Sequence, residues 1–214
     1  RRLLAEGKQK YSTLTRGYTY EDNVVFHLKQ LVNNKFITKK DSYYSLTRLG
    51  VNKITSYDLT LLEDTGFKSF LVGFLCRYQD EYLIKSHPQA EKDFFNFPSG
   101  QPRFDEHIDK ALVRIFKFNT GITITPKNFK FLSVHLKTIR SKEREAIFDD
   151  AFAIFEVEIT KDQKEKMKLH EQIHWMSLEQ VRNLKNCWPE INIVVIEKDK
   201  RPYMSYEFSS DYIL

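Results

Sequence analysis

Apolar residues recur with a helical period in the first part of the chain. Within residues 19–32 the apolar side chains that fall on one helical stripe are Val24, Val25, Leu28, Leu31 and Val32. Asn33 and Asn34 are predicted to end this helix, because asparagine tolerates the left-handed backbone of a C-cap. Two short β-like runs follow, at 36–38 and 43–46, around a polar turn. The pattern therefore predicts a helix followed by a small hairpin.

Beyond residue 66 the pattern changes to strands that surround one strongly amphipathic helix. Strand-like apolar runs lie at 67–78, 82–87, 129–139, 149–159 and 172–176. The helix carries apolar residues at i, i+3, i+4, i+7 and i+8, which are Ile108, Ala111, Leu112, Ile115 and Phe116. Ser177 and Gln180 form a capping box that predicts a second helix. This order of elements predicts an α+β fold with a mixed sheet.

Length and composition limit the classes of protein that remain. The chain has 214 residues, of which 41% are hydrophobic, enough for one large domain or two small ones. Two cysteines, Cys76 and Cys187, are too few for a disulfide-stapled secreted scaffold. No apolar run approaches the roughly 18 residues of a membrane span. We therefore expect a cytoplasmic protein without a membrane partner.

Charge is concentrated at one end of the chain. Residues 1–57 contain 11 Lys or Arg against 4 Asp or Glu, a balance of +7, whereas the remaining residues have 23 against 25, or −2. Clustered positive charge is typical of proteins that bind a phosphate backbone, although a solvated basic face is the alternative. The change in charge and pattern predicts a domain at 1–57, a linker at 58–66 and a second domain at 67–214.

The N-terminal motif resembles a known DNA-binding module. "HLKQLVNNKFITKKDSYYSLTRLG" is similar to the recognition helix and wing of winged helix-turn-helix domains of the bacterial transcription-regulator type. In this resemblance "YSTL" at 11–14 begins the second helix, and residues 1–9 are what remains of the first. The resemblance covers roughly residues 1–57 and implies duplex DNA as a partner.

The resemblance also implies which side chains contact DNA. Asn23, His27 and Gln30 would face the major groove, where Asn and Gln can form two hydrogen bonds with a purine edge. Lys39 and Lys40 would contact phosphate from the wing. The carboxylates at residues 21 and 22 oppose this role, because they repel phosphate. Winged helices also serve as protein-binding or dimerising modules, and that alternative stays open.

The C-terminal part resembles the Nudix hydrolases. "NFPSGQPRFDEHIDKALVRIFKFNTGI" is similar to the Nudix box, G-x5-E-x7-R-E-U-x-E-E-x-G-U, where U is a bulky aliphatic residue. The residues in register are Gly100, Glu106, Arg114, Gly121 and Ile122. "HWMSLEQVRNL" is similar to the closing strand and helix of the family. Over roughly residues 67–186 the resemblance implies an α/β/α sandwich with a mixed sheet.

Three departures from the box change the expected function. In the family three glutamates of the box helix bind magnesium, but here their positions hold Ile115, Phe118 and Asn119. Magnesium requires oxygen ligands, and hydrocarbon offers none. Glu106 is the one remaining candidate catalytic residue. We expect hydrolysis to be lost, and we expect Ile115 and Phe118 to form a dry face packed on a neighbour such as the 93–97 loop.

Downstream carboxylates are the remaining source of metal ligands. Some Nudix enzymes take a base or a metal ligand from a later loop, and the residues in that region are Glu143, Glu145, Asp149 and Asp150. They cannot replace the box helix itself, so no metal site is predicted.

The two resemblances together predict a DNA-binding regulator. Its degenerate Nudix domain would sense a nucleotide-like or sugar-phosphate ligand through Arg103, Glu106, Arg114 and Asn119, without a cofactor. A planar guanidinium suits an anionic group because it pairs with phosphate through two hydrogen bonds. The alternative is a nucleoside-diphosphate-linked pyrophosphohydrolase with an atypical magnesium site, in which the winged helix is an interaction module. A homodimer is compatible with either hypothesis.

Overall fold

The computed structural model describes residues 3, 6–54, 57–58, 63–64, 68–87 and 93–210. It divides the chain into two compact units, Arg1–Phe67 and Lys68–Leu214. Most of the linker predicted at 58–66 lies outside the described residues.

The first unit is a small helical body with a three-stranded antiparallel sheet. Its elements are β1 (Gln9–Lys10), α1 (Tyr11–Leu14), α2 (Val24–Asn33), β2 (Ile37–Lys40), β3 (Tyr43–Leu46), α3 (Arg48–Ile54) and the short pair β4 (Tyr57–Asp58) and β5 (Glu63–Asp64). The strand order of the sheet is β1-β3-β2. Leu14, Leu28, Ile37 and Tyr44 are buried together, so one face of the hairpin packs on the helices.

The predicted helix and hairpin are confirmed, with shifted boundaries. The α-helix begins at Val24 instead of residue 19, because Asn23 adopts a left-handed φ of 47° and separates it from a single 3-10 turn at Tyr20–Asp22. At the other end the left-handed residue is Lys35, with φ 60°, and not an asparagine. Gln9, assigned above to the first helix, instead pairs with Tyr44 of β3 as part of the strand β1.

The second unit is built on an eight-stranded mixed sheet. Its strands are β6 (Ser69–Tyr78), β7 (Glu81–His87), β8 (Phe94–Asn96), β9 (Ser99–Gly100), β10 (Lys130–Arg140), β11 (Ala146–Glu158), β12 (Ile173–Ser177) and β13 (Tyr203–Ser209). The main path runs β12-β7-β6-β11-β10-β13, while β8 pairs with β7 and β9 pairs with β6. The β6–β11 and β10–β13 pairs are parallel, and the others are antiparallel.

Helices cover both faces of this sheet. They are α4 (Ile108–Thr120), α5 (Lys161–Lys166), α6 (Leu178–Arg182) and α7 (Pro189–Ile191), which continues into a π-helical turn at Asn192–Ile196. Phe74 on β6 packs in the apolar layer of α4, whereas its neighbour Leu75 packs in the layer of α6 and α7. Successive side chains of a strand point to opposite faces, so the unit has three layers, as predicted. None of the described helices is long and apolar enough to cross a membrane.

Candidate functional site

Glu106 is held by three hydrogen bonds at the start of α4. Its Oε1 accepts a hydrogen bond from Arg114 Nε at 2.7 Å, and its Oε2 accepts bonds from Arg114 Nη2 at 2.6 Å and from the backbone N–H of Arg103 at 2.9 Å. The Arg114 hydrogen bonds, followed by the Arg103 N–H, lower the pKa of Glu106 to about 2. Arg114 Nη2 also donates to the carbonyl of Gln101 at 3.2 Å. The carboxylate is therefore ionised at neutral pH, and both of its oxygens already accept hydrogen bonds.

Ile115 and Asn119 face the protein interior. Ile115 is 3% exposed and lies in the core beside Gly100, where an added Cβ would come within 2.8 Å of Ile115 Cγ2. Asn119 is 1% exposed, and its Nδ2 donates to the carbonyls of Ile115 at 2.8 Å and Ser99 at 3.5 Å. The expected dry packing is confirmed for Ile115. Its contact is Gly100 on β9 and not the 93–97 loop, because Phe97 belongs to the opposite apolar layer.

Phe118 does not share this environment, and the prediction of a continuous dry face is wrong there. Its side chain is 70% exposed, and its ring lies 5.8 Å from the His170 ring at an angle of 30°. Three residues along a helix rotate the side chain by about 60° from Ile115. That rotation carries Phe118 past the edge of the buried stripe, onto the side that also holds Arg114, four residues earlier.

The structure brings Arg103, Glu106 and Arg114 together but gives the four residues predicted to bind a ligand different environments. Asn119 is buried, and Arg114 and Glu106 bind each other. Arg103 is exposed, and its guanidinium makes no hydrogen bond with any other described residue. Of the four side chains, that of Arg103 is the one placed to bind an anion without first breaking an internal contact.

The donor set around α4 does not fit magnesium. Isoleucine and phenylalanine offer no oxygen, and the side chain of Asn119 is buried in the core. Asp149 is paired with Lys68 and accepts a hydrogen bond from Thr138. No three Asp, Glu, His or Cys side chains cluster as a metal site within the part of the chain that the structure describes.

The other downstream carboxylates do not supply a fuller set. Glu143 and Glu145 are exposed in the turn between β10 and β11. Asp150 stands opposite Lys137 in the β10–β11 ladder, and desolvation by burial raises its pKa. Its neighbour on the same strand face is Phe152, which packs in the layer of α6 and α7, on the side of the sheet away from α4.

The predicted DNA-contacting residues His27 and Gln30 are exposed on α2, whereas Asn23 lies outside the helix. His27 borders an apolar groove of about 710 Å³ that is also lined by Leu28 and Leu31, and Asn23 lies before the helix with left-handed backbone. The side of α2 opposite buried Leu28 centres on Phe26, Lys29, Gln30 and Asn33, with Phe26 55% exposed. Phe26 and Lys29 on this side were not among the residues predicted to contact DNA.

A buried polar network in the second unit was also missed. Lys137 Nζ lies 2.5 Å from Glu190 Oε1, and these side chains are 3% and 0% exposed. The Tyr206 hydroxyl donates to Glu190 Oε2 at 3.4 Å and lies 3.1 Å from Nδ1 of His135. Burial lowers the pKa of His135 and raises that of Tyr206. The sequence feature that could have predicted this network is the row of polar residues at the alternating positions 133, 135 and 137, which share one buried face of β10.

Comparison with known proteins shows the fold of the chain. No protein-family model matches the sequence, and no curated protein matches it. The structure is similar to the mutator MutT protein from Bacillus halodurans, with a TM-score of 0.53, 16% identity, and coverage of 68% of this chain and 93% of that one.

Two further solved structures are similar at lower TM-scores. The Nudix domain of Shewanella oneidensis NrtR complexed with ADP ribose has a TM-score of 0.49 and 10% identity, covering 72% of this chain and 98% of its own. A MutT Nudix hydrolase from Burkholderia pseudomallei has a TM-score of 0.46 and 13% identity, covering 61% of this chain and 97% of its own. The MutT comparison supports the Nudix fold and, at this identity, the fold alone.

Proposed function

We propose that the protein is a DNA-binding regulator whose C-terminal unit senses a nucleotide-like or sugar-phosphate ligand and does not hydrolyse it. The observation that carries this proposal is the environment of the three box positions. Ile115 fills the core beside Gly100, Asn119 is bonded within it, and Phe118 is an exposed hydrocarbon. A Nudix fold is thus retained around a helix that lacks the charged oxygens required for magnesium-assisted phosphate chemistry.

The order of elements in the first unit supports the DNA-binding half. A strand, two helices and a hairpin follow one another, and the early strand β1 joins the hairpin as its third strand. This arrangement resembles a winged helix in which α2 is the recognition helix and β2–β3 is the wing. The +7 balance of residues 1–57 supplies the long-range attraction to phosphate.

Two features near α4 support an anionic, aromatic ligand. Arg103 offers an exposed guanidinium that can bind a phosphate through two hydrogen bonds. Phe118 and His170 present neighbouring exposed rings, and a nucleobase can stack on such rings. A ligand with both a phosphate and a base would use both features, as a nucleotide does.

The hydrolase hypothesis rests on the similarity to MutT folds. It requires metal ligands from outside the box helix, and the described carboxylates at 149 and 150 are engaged or lie on the other side of the sheet.

Two measurements on the full chain test the proposal. Fluorescence anisotropy with a mixed-sequence 30-base-pair duplex should show binding that weakens steeply with salt. Thermal-shift screening against nucleoside diphosphates and nucleotide sugars, without metal, should identify a stabilising ligand whose effect Arg103→Ala removes. Absence of duplex binding at low salt would overturn the regulator, and a ligand effect that survives Arg103→Ala would overturn the assigned anion site.

A further inference from the structure

Both faces of the three-stranded sheet carry lysines. Tyr44 is buried against the helices, and its neighbour across the ladder is Lys39, so this row faces α2. Lys39 and Lys29 border one groove of about 380 Å³ between the helix and the hairpin. The next row joins Tyr43 to Lys10 on one side and Lys40 on the other. Because successive strand residues point to opposite faces, this second row faces away from α2.

Three lysines meet on this outward face around one aromatic ring. Lys8 Nζ lies 4.8 Å and Lys10 Nζ 5.5 Å from the centre of the Tyr43 ring, and Lys40 is its cross-strand partner. We call Lys8, Lys10, Lys40 and Tyr43 the outer-sheet cluster. None of its ammonium groups has an ion pair with another described residue, whereas in the second unit Lys68, Lys164 and Lys166 do. The outer-sheet cluster therefore carries positive charge that the first unit leaves uncompensated.

We propose that the outer-sheet cluster, in which Lys8, Lys10 and Tyr43 join the Lys40 predicted above, binds the phosphate backbone of duplex DNA. The proposal rests on the DNA binding proposed above. Lysine ammonium groups and a tyrosine hydroxyl are both common phosphate donors in protein–DNA interfaces. Contact with the Tyr43 ring keeps two ammonium groups at one spot through cation–π attraction, which reduces the entropy lost when they bind a phosphate. The strand β1 becomes part of the DNA-binding surface.

The salt dependence of DNA binding distinguishes direct lysine–phosphate contacts from an effect of the protein's net charge. Each lysine that neutralises a phosphate contributes about 0.9 to the slope of log K against log salt. On the mixed-sequence 30-base-pair duplex, Lys8→Ala/Lys10→Ala in the full chain should lower the magnitude of the slope by roughly 1.8. Lys40→Ala alone should lower it by about 0.9. Lys8→Arg/Lys10→Arg, which keeps both charges, should retain the wild-type slope.

The matched control is Lys161→Ala/Lys166→Ala, which removes the same charge from α5 in the other unit and should leave the slope unchanged. If this control lowers the slope as much as the β1 variant, only net charge matters and the proposal fails. It also fails if the Lys8, Lys10 and Lys40 variants keep the wild-type slope while melting as the wild type does. Failure of the wild-type chain to bind duplex would instead overturn the proposed function itself.

Discussion

At position 115 an isoleucine methyl group occupies the space that a side chain on residue 100 would need. A glutamate at position 115 would place its carboxylate among the apolar residues that surround Val72 and Phe74. Position 118 is different, because most of its side chain contacts water. Two replacements that look equivalent in the box motif therefore have opposite structural meanings: one belongs to the core and the other to the surface.

Ile115→Glu should destabilise the protein, whereas Phe118→Glu should not. An uncompensated charge in the core costs about 3–5 kcal/mol, and an exposed substitution usually changes stability by less than about 0.5 kcal/mol. Urea unfolding at pH 7 measures both, and Phe118→Glu serves as the matched control. Equal stability of the two variants would mean that the face around residue 115 is an open, wet pocket. Adding magnesium should not restore the lost stability of Ile115→Glu.

Glu106 makes stability depend on pH in a defined window. Its pKa is lowered from the ordinary 4.5 to about 2 by the Arg114 hydrogen bonds. A lowered carboxyl pKa contributes stability that is complete above pH 4.5 and is lost as the pH falls towards 2. The difference in free energy of unfolding between wild type and Glu106→Gln should therefore shrink across that window. Denaturant titrations at several pH values measure it, and a difference that stays constant down to pH 2 would contradict the ion pair.

At the scale of elements, local sequence patterns were sufficient to predict individual helices and hairpins but not the pairing of strands that are distant in sequence. The amphipathic period and Gly121, with φ 76°, place α4 within a residue or two of its observed bounds. The β6–β7 hairpin follows from two apolar runs around a short polar turn. The parallel pairing of β13 with β10 was not predicted, because it joins residues 69 positions apart, such as Val134 and Tyr203, and no local period encodes it.

The buried Lys137–Glu190 pair fixes α7 to β10, and we expect its two halves to be strongly coupled. Lys137→Met leaves the Glu190 carboxylate in the core without its counter-charge, which should cost about 3–5 kcal/mol. The double variant Lys137→Met/Glu190→Leu should be more stable than the Lys137→Met single variant, because hydrocarbon replaces both charges and can pack on the Phe152 ring. A double-mutant cycle by urea unfolding measures the coupling. A double variant whose loss equals the sum of the single losses would show that the pair does not act as a unit.

At the scale of the whole molecule, the sequence indicated that the chain has two parts more clearly than it indicated which side chains of the candidate site are accessible. The +7 balance of residues 1–57 and the period change near 66 anticipated two parts, and the chain divides after residue 67. Side-chain availability was not predictable, because it depends on which partners tertiary packing brings together. Arg114 keeps its place in the motif but is bound to Glu106, and Asn119, which replaces a box glutamate, is enclosed in the core.

Because Asn119 is enclosed in the core, it does not offer a metal ligand at the surface of α4. We therefore expect no appreciable pyrophosphohydrolase activity with magnesium or manganese at millimolar concentrations. Magnesium needs several oxygen ligands in near-octahedral geometry, and Glu106 is the one box carboxylate left. Its oxygens already accept hydrogen bonds from Arg114 and Arg103, so a metal would have to displace an arginine. The assay uses a mixture of nucleoside-diphosphate-linked substrates and a coupled phosphatase, and it measures the phosphate released after their hydrolysis. Metal-dependent release that Glu106→Gln abolishes would show that the arginine yields and that the protein is a hydrolase after all.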